Sequence, residues 1–115
     1  MTVTLIRIMT TELEEMTSFY RDVLGLDVES HYKDSVSFSS GIEIAQCDKK
    51  SHVDLFFETY SLSTILKNIE NPAISRGENG ERVLVTEDPD GNNVVISECI
   101  SYQTKSDKRS IARII

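Results

Sequence analysis

The chain reads as an α+β protein of two tandem βαβββ modules, whose curved antiparallel sheets pair to form a cavity. Three observations predict this. Short stretches alternate apolar and polar residues, as strands with one buried face do, and two stretches at helical spacing interrupt them at corresponding places. The order strand, helix, three strands runs through about fifty residues and then repeats, with almost no residue identity between the halves. A four-stranded sheet carrying one helix buries only one of its faces, so the other needs a second sheet, from this chain or from another copy.

The elements follow in order. Val3 to Met9 alternates, with Thr4, Ile6 and Ile8 on one face and Val3, Leu5, Arg7 and Met9 on the other, which predicts the first strand. Thr11 followed by Glu14 has the form of a capping box, and Leu13, Met16, Phe19, Tyr20, Val23 and Leu24 recur at helical spacing, so a helix is expected over 12–24. Gly25 stands where a left-handed residue closing that helix is least costly without a side chain. Strands are expected over 27–32, 35–39 and 42–47, turned at Lys33-Asp34 and Ser40-Gly41. After the polar linker 48–51, His52 to Phe57 alternates as a fifth strand. Leu62, Ile65, Leu66 and Ile69 mark a second helix ended by Asn71-Pro72, and strands near 73–76, 81–86 and 93–98 complete the repeat. One domain over 1–100 results, with modules at 1–50 and 51–100. A C-terminal tail over 101–115, basic at the front and apolar at its end, reads either as frayed chain or as a short helix docked on a partner or over the pocket.

At 115 residues and 39% hydrophobic, the chain supports one modest core. Its formal net charge of -7 opposes binding to a phosphate backbone, where affinity comes from Lys and Arg displacing counterions, so no nucleic acid partner is expected. No apolar run approaches the ~20 residues that span a bilayer, and the N-terminus lacks the build of a signal peptide. The expectation is a cytoplasmic protein with no membrane partner. Cys47 and Cys99 are too few and too far apart for a disulfide framework or a zinc motif, and read as reduced, packed thiols.

Strand parity sorts the side chains independently. Val36, Phe38, Ile42, Ile44, Val53, Leu55, Phe57, Val94 and Ile96 share the parity that packs on helices. Opposite them stand Leu5, Arg7, Ser37, Ser39, Glu43, His52, Asp54, Phe56, Val95 and Ser97, a mixed face of the kind that lines a pocket with a few polar anchors. Arg7 on that face needs a counterpart, because an unpaired buried charge costs several kcal/mol; Glu43, Asp54 or an anionic ligand can supply it. His31, beside the Lys33-Asp34 turn, is expected to face solvent, and Tyr20 to sit in the core or at the helix edge. Asp88-Pro89-Asp90-Gly91-Asn92 lacks the twelve-residue loop of a calcium hand and reads as a turn.

The run Phe19-Tyr20-Arg21-Asp22-Val23-Leu24-Gly25-Leu26, the later Asp88-Pro89-Asp90-Gly91-Asn92 turn and the doubled βαβββ order resemble the vicinal oxygen chelate superfamily over residues 3–98. That superfamily includes glyoxalase I, bleomycin- and fosfomycin-resistance proteins and extradiol dioxygenases. The resemblance implies the glyoxalase/bleomycin resistance/dihydroxybiphenyl dioxygenase fold. In metal-using members four side chains hold the ion. Leu5 and Val95 fall on the first and last of those positions, where neither can bind metal, while Glu43 and His52 fall on the other two. In small dimeric members the site joins one chain's first module to the other's second.

The resemblance therefore implies a homodimeric protein that binds a small organic molecule in a cavity lined by Arg7, Ser37, Glu43, His52, Asp54 and Phe56, with no cofactor. A divalent metal, were one held, would rest on Glu43 and His52. The alternative is a metal-dependent glyoxalase-like lyase or isomerase, or a thiol transferase, with Glu43 and His52 as its catalytic pair. A third class, a domain that pairs with another protein, predicts a more apolar sheet face. Whether the chain is an enzyme stays open at this level.

Overall fold

The structure, a computed structural model, describes residues 5–99. The tail expected over 101–115 lies outside the described residues. The elements are β1 (Ile6–Thr10), α1 (Leu13–Ser18), β2 (Val28–His31), β3 (Ser35–Phe38), β4 (Ile42–Gln46), β5 (Asp54–Thr59), α2 (Leu62–Leu66), β6 (Ala73–Arg76), β7 (Arg82–Glu87) and β8 (Asn93–Glu98). They form two four-stranded sheets, ordered β1-β4-β3-β2 and β5-β8-β7-β6. The identical order is the architectural repeat expected from the sequence.

Each sheet is mixed rather than wholly antiparallel. β1 runs parallel to β4, with Ile6 opposite Ile42 and Arg7 opposite Glu43, and β5 runs parallel to β8 in the same way. The connection through the helix brings the chain back in its original direction, and the two hairpins that follow reverse it twice.

The first helix is less regular than its spacing predicts. Regular α-helix ends at Ser18, and the chain continues through a wider π-type turn over Phe19–Val23. The Leu24 N–H reaches the Phe19 carbonyl at 3.1 Å and the Leu26 N–H reaches the Tyr20 carbonyl at 2.9 Å. Gly25 closes this end at φ 78°, in the left-handed region where a side chain would be strained. At the other end the Thr11–Glu14 capping box does not form. Gln46, at the end of β4, accepts the Leu13 N–H on Oε1 at 3.1 Å and donates Nε2 to the Thr11 carbonyl at 2.9 Å, while Thr10 Oγ1 accepts the Glu12 N–H at 2.9 Å. The cap is supplied across the sheet instead of along the helix.

Tyr20, Met16 and Leu24 from the first helical segment, Leu62 and Ile65 from α2, and Ile8, Phe38, Ile44, Leu84 and Ile96 from the sheets belong to one continuous buried cluster. Burying each such side chain is worth about 1.5–3 kcal/mol. Both modules feed this one core, so they are joined on their helical side. Among the described residues the opposite face of each sheet is left open.

Candidate functional site

On the open face of the first sheet, Arg7 stands across from Glu43, and Glu43 across from Ser37. Arg7 Nε donates to Glu43 Oε1 at 2.6 Å, with the Arg7 side chain 62% exposed and that of Glu43 only 13%. Of the two side chains expected as counterparts for Arg7, Glu43 is the one that pairs with it. A pair this wet adds less than about 1 kcal/mol to stability, so its main effect is to hold the guanidinium in place.

The second sheet presents an apolar row on its open face. Phe56 pairs with Val95, Val95 with Val85 and Val85 with Ala73. Phe56, in mid-strand, is 75% exposed. Nothing among the described residues covers it. Asp54, Asn93 and Glu87 flank the row on one side, and Glu58, Ser97 and Val83 on the other. Asp54 Oδ1 accepts a hydrogen bond from Asn93 Nδ2 at 2.9 Å, so it is engaged within its own module and not with Arg7.

Val95 lies between Val94 and Ile96, which are both buried under the helices, so its side chain takes the open face; Leu5 is likewise exposed. Neither turns into the helix layer. His52 precedes β5 instead of opening it. With Val53, Asp54, Gly91, Asn92 and Asn93 it borders a polar hollow of about 210 Å³. Glu43 and His52 belong to different modules, and no hydrogen bond or ion pair joins them among the described residues.

A larger hollow, about 380 Å³, lies on the helical side between Leu24, Leu26, Phe57, Thr64, Ile65 and Ile96. It is separate from the open faces, where Phe56 stands 75% exposed among the described residues instead of lining an enclosed cavity. Among the described residues no three His, Cys, Asp or Glu side chains come together in a way that could hold a metal ion. Because a catalytic divalent ion generally takes three protein ligands, the described donors of one chain do not make such a set by themselves.

The structure also brings together two motifs that sequence reasoning treated separately. Tyr20 Oη donates to Asp88 Oδ2 at 2.7 Å. The same oxygen accepts Asn92 Nδ2 at 2.8 Å, and Asp88 Oδ1 accepts the backbone N–H groups of Asp90 at 3.0 Å and Asn92 at 2.9 Å. Asn92 Oδ1 in turn accepts the Val53 N–H at 2.9 Å. Burial, the hydrogen bond to Asp88 and the charges of Asp88 and Asp90 hold the Tyr20 hydroxyl well above the ordinary tyrosine range. It therefore keeps its proton and stays a hydrogen-bond donor to Asp88. The available signal was a tyrosine in the buried stripe of a helix, since a buried phenol needs an acceptor somewhere.

No protein-family model matches this sequence, and no curated protein does either. Solved structures do match. A protein of unknown function from Agrobacterium tumefaciens str. C58 is 22% identical with a TM-score of 0.71, over 87% of this chain and 95% of that one. A lactoylglutathione lyase from Agrobacterium tumefaciens is 18% identical with a TM-score of 0.67, over 84% and 92%. A glyoxalase/bleomycin resistance protein/dioxygenase from Alicyclobacillus acidocaldarius is 16% identical with a TM-score of 0.61, over 91% and 96%. The chain thus has the fold of the glyoxalase, bleomycin-resistance and dioxygenase proteins, the vicinal oxygen chelate fold that its motifs resemble. At these identities the likeness is one of fold. No described helix is long and apolar enough to cross a membrane.

Proposed function

We propose that the protein binds a small organic molecule between the open sheet faces of two copies of the chain, as a cytoplasmic homodimer that holds no catalytic metal. The observation that supports this is the uncovered pair of mixed faces. The first sheet offers Arg7 beside Glu43 and Ser37. The second offers the Phe56–Val95–Val85 row edged by Asp54, Glu58 and Glu87, with no lysine or arginine on that face among the described residues. The largely exposed Arg7, held by Glu43 on the first sheet, can meet the carboxylates that edge the second sheet of a partner, and a two-fold axis generates the same pairing twice.

Such a pairing covers Phe56 and sets Arg7, Ser37 and Glu43 on one wall against His52, Asp54 and Phe56 of the partner subunit on the other. Glu43 and the partner's His52 would bring two metal donors, one short of a catalytic site. The known lactoylglutathione lyase shares this fold, yet the aliphatic side chains at Leu5 and Val95 favour binding over metal-assisted chemistry here.

Light scattering for mass, metal analysis of protein purified without chelator, and a thermal-shift screen of metabolites and antibiotics with and without chelator test the proposal together. The expected result is a dimer stabilised by an organic ligand regardless of chelator, by roughly 2.7 kcal/mol at about 100 times the dissociation constant. A monomer, or stoichiometric nickel, zinc, iron or manganese, would overturn it. Turnover abolished by Glu43→Gln in a folded protein would move the reading to an enzyme.

A further inference from the structure

Three hydrogen bonds run in series from the first module to the corner where His52 and Asp54 stand. Tyr20 donates to Asp88, Asn92 donates to the same Asp88 oxygen, and Val53, the residue between His52 and Asp54, donates its N–H to Asn92 Oδ1. We infer that Tyr20 is a positioning residue for the His52–Asp54 corner, acting through Asp88 and Asn92. That role serves the pocket proposed above, but its test reads geometry instead of binding, so the two can fail separately.

Each link has one available arrangement. Asn92 is 2% exposed and uses both ends of its amide, Nδ2 toward Asp88 and Oδ1 toward Val53, so the side chain cannot flip without losing both bonds. β5 pairs with β8 only from Asp54 onward. The Val53 N–H therefore depends on Asn92 for its partner, and the chain direction at His52 depends on where that amide sits.

Of the four donors on Asp88, three belong to its own turn: the Asp90 and Asn92 backbones and Asn92 Nδ2. A turn held only by its own donors can move as a body. Among the described residues Tyr20 alone donates to it from the other module, and it does so on Oδ2, the oxygen that also orients Asn92. Removing the phenol leaves that oxygen with a single donor and releases the carboxylate to turn with Asn92 attached. The hollow bordered by His52, Val53, Asp54, Gly91, Asn92 and Asn93 takes its shape from this relay.

The chain has two histidines, which makes the test direct. His31 lies at the end of β2, in the edge strand of the first sheet, and serves as an internal reference. Proton–nitrogen spectra are recorded for the full chain and for Tyr20→Phe, Asn92→Ala and Ile44→Val, the last a core change outside the relay. Tyr20→Phe and Asn92→Ala are expected to move the His52 imidazole signals and the His52, Val53 and Asp54 amides together, with His31 unmoved. The Val53 amide should exchange about tenfold faster in each, as expected when a hydrogen bond of ordinary strength is lost from one local unit. Ile44→Val should leave this group of signals in place.

An unmoved His52–Asp54 group in folded Tyr20→Phe overturns the assignment, and so does the same displacement in Ile44→Val. Should Tyr20→Phe not fold, Asn92→Asp decides: it keeps an acceptor for Val53 but sets a second carboxylate against Asp88. Displacement of the corner then supports the relay, and an unmoved corner refutes it.

Discussion

Replacing Tyr20 by Phe should make the protein less sensitive to alkali. The hydroxyl is fully buried and donates to Asp88 at 2.7 Å. Burial first, then the hydrogen bond to Asp88 and the neighbouring carboxylate charges, raise its ionisation above the ordinary tyrosine range in the folded state. In the unfolded chain the phenol ionises near pH ~10. A group whose folded pKa is raised contributes stability that is fully present below its unfolded pKa and lost as pH climbs above it, because only the unfolded state then releases the proton. Linkage puts that loss at about 0.4 kcal/mol at pH 10 and about 1.4 kcal/mol at pH 11.

The Phe variant lacks this proton. Near pH 8 it should be less stable than the native chain by about 1.5–3 kcal/mol, the range for a hydrogen bond to a charged group. That difference should shrink by about 1.4 kcal/mol at pH 11, since all other titrations are common to both proteins. Urea unfolding followed by circular dichroism at pH 8, 10 and 11 measures it. A gap that stays constant across the series would show that the phenol is not a buried, protonated donor and would remove the basis for joining the two modules through it.

Two further changes test other parts of the structure. Arg82 grips Glu98 with Nε at 3.0 Å and Nη2 at 2.7 Å, and also donates Nη2 to Ser63 Oγ at 3.0 Å, which ties the start of α2 to the second sheet. The hydrogen bond from Arg82 holds the Glu98 carboxyl below its ordinary value, so its contribution is present above the usual glutamate pKa and lost as pH falls through the lowered one. Arg82→Ala should lower the urea midpoint at neutral pH, by less in high salt, and flatten the acid limb of the stability profile. Phe56→Asp adds a charge to the exposed apolar row without touching the core, so it should leave the unfolding of the single chain little changed while weakening self-association at least about tenfold by sedimentation.

Local periodicity made most of the fold legible. Strand parity sorted Val36, Phe38, Ile44, Leu55, Val94 and Ile96 to the buried side, and Gly25 takes the left-handed conformation that its place after the helix required. What stayed hidden depends on partners distant in the chain. The helix start is capped by Gln46, more than thirty residues away. The Thr11–Glu14 pair has the right spacing for a box, which would engage the Glu14 and Thr11 N–H groups, yet a side chain at the end of β4 fixes the helix start through the Leu13 N–H and the Thr11 carbonyl instead. Asp88 looked complete as a turn residue because three of its four donors are local; the fourth, Tyr20, is 68 positions away. For the site, parity placed Arg7, Glu43, Phe56 and Val95 on open faces, but parity says nothing of how two sheets of one chain are disposed. The shared core on the helical side, which leaves both faces uncovered, emerges only from tertiary packing.

Val95, which the resemblance aligns with a ligand position of metal-using members, acquires a physical sense from its surroundings. Val95 is the middle of a row running from Phe56 through Val85 to Ala73, not an isolated gap in a polar cluster. A carboxylate there would need solvation or an ion to balance it, and flanking apolar side chains supply neither. With valine, the row can be covered at a gain of roughly 25 cal/mol per Å² of apolar area removed from water. The charged groups stand to either side, at Asp54, Glu58 and Glu87, where they can stay hydrated at the rim while the row is covered. Arg7 follows the same logic on the first sheet, held by Glu43 but still largely in water. Faces arranged in this way present apolar area at the centre and charge at the edge, and on that arrangement the proposed binding of an organic guest rests.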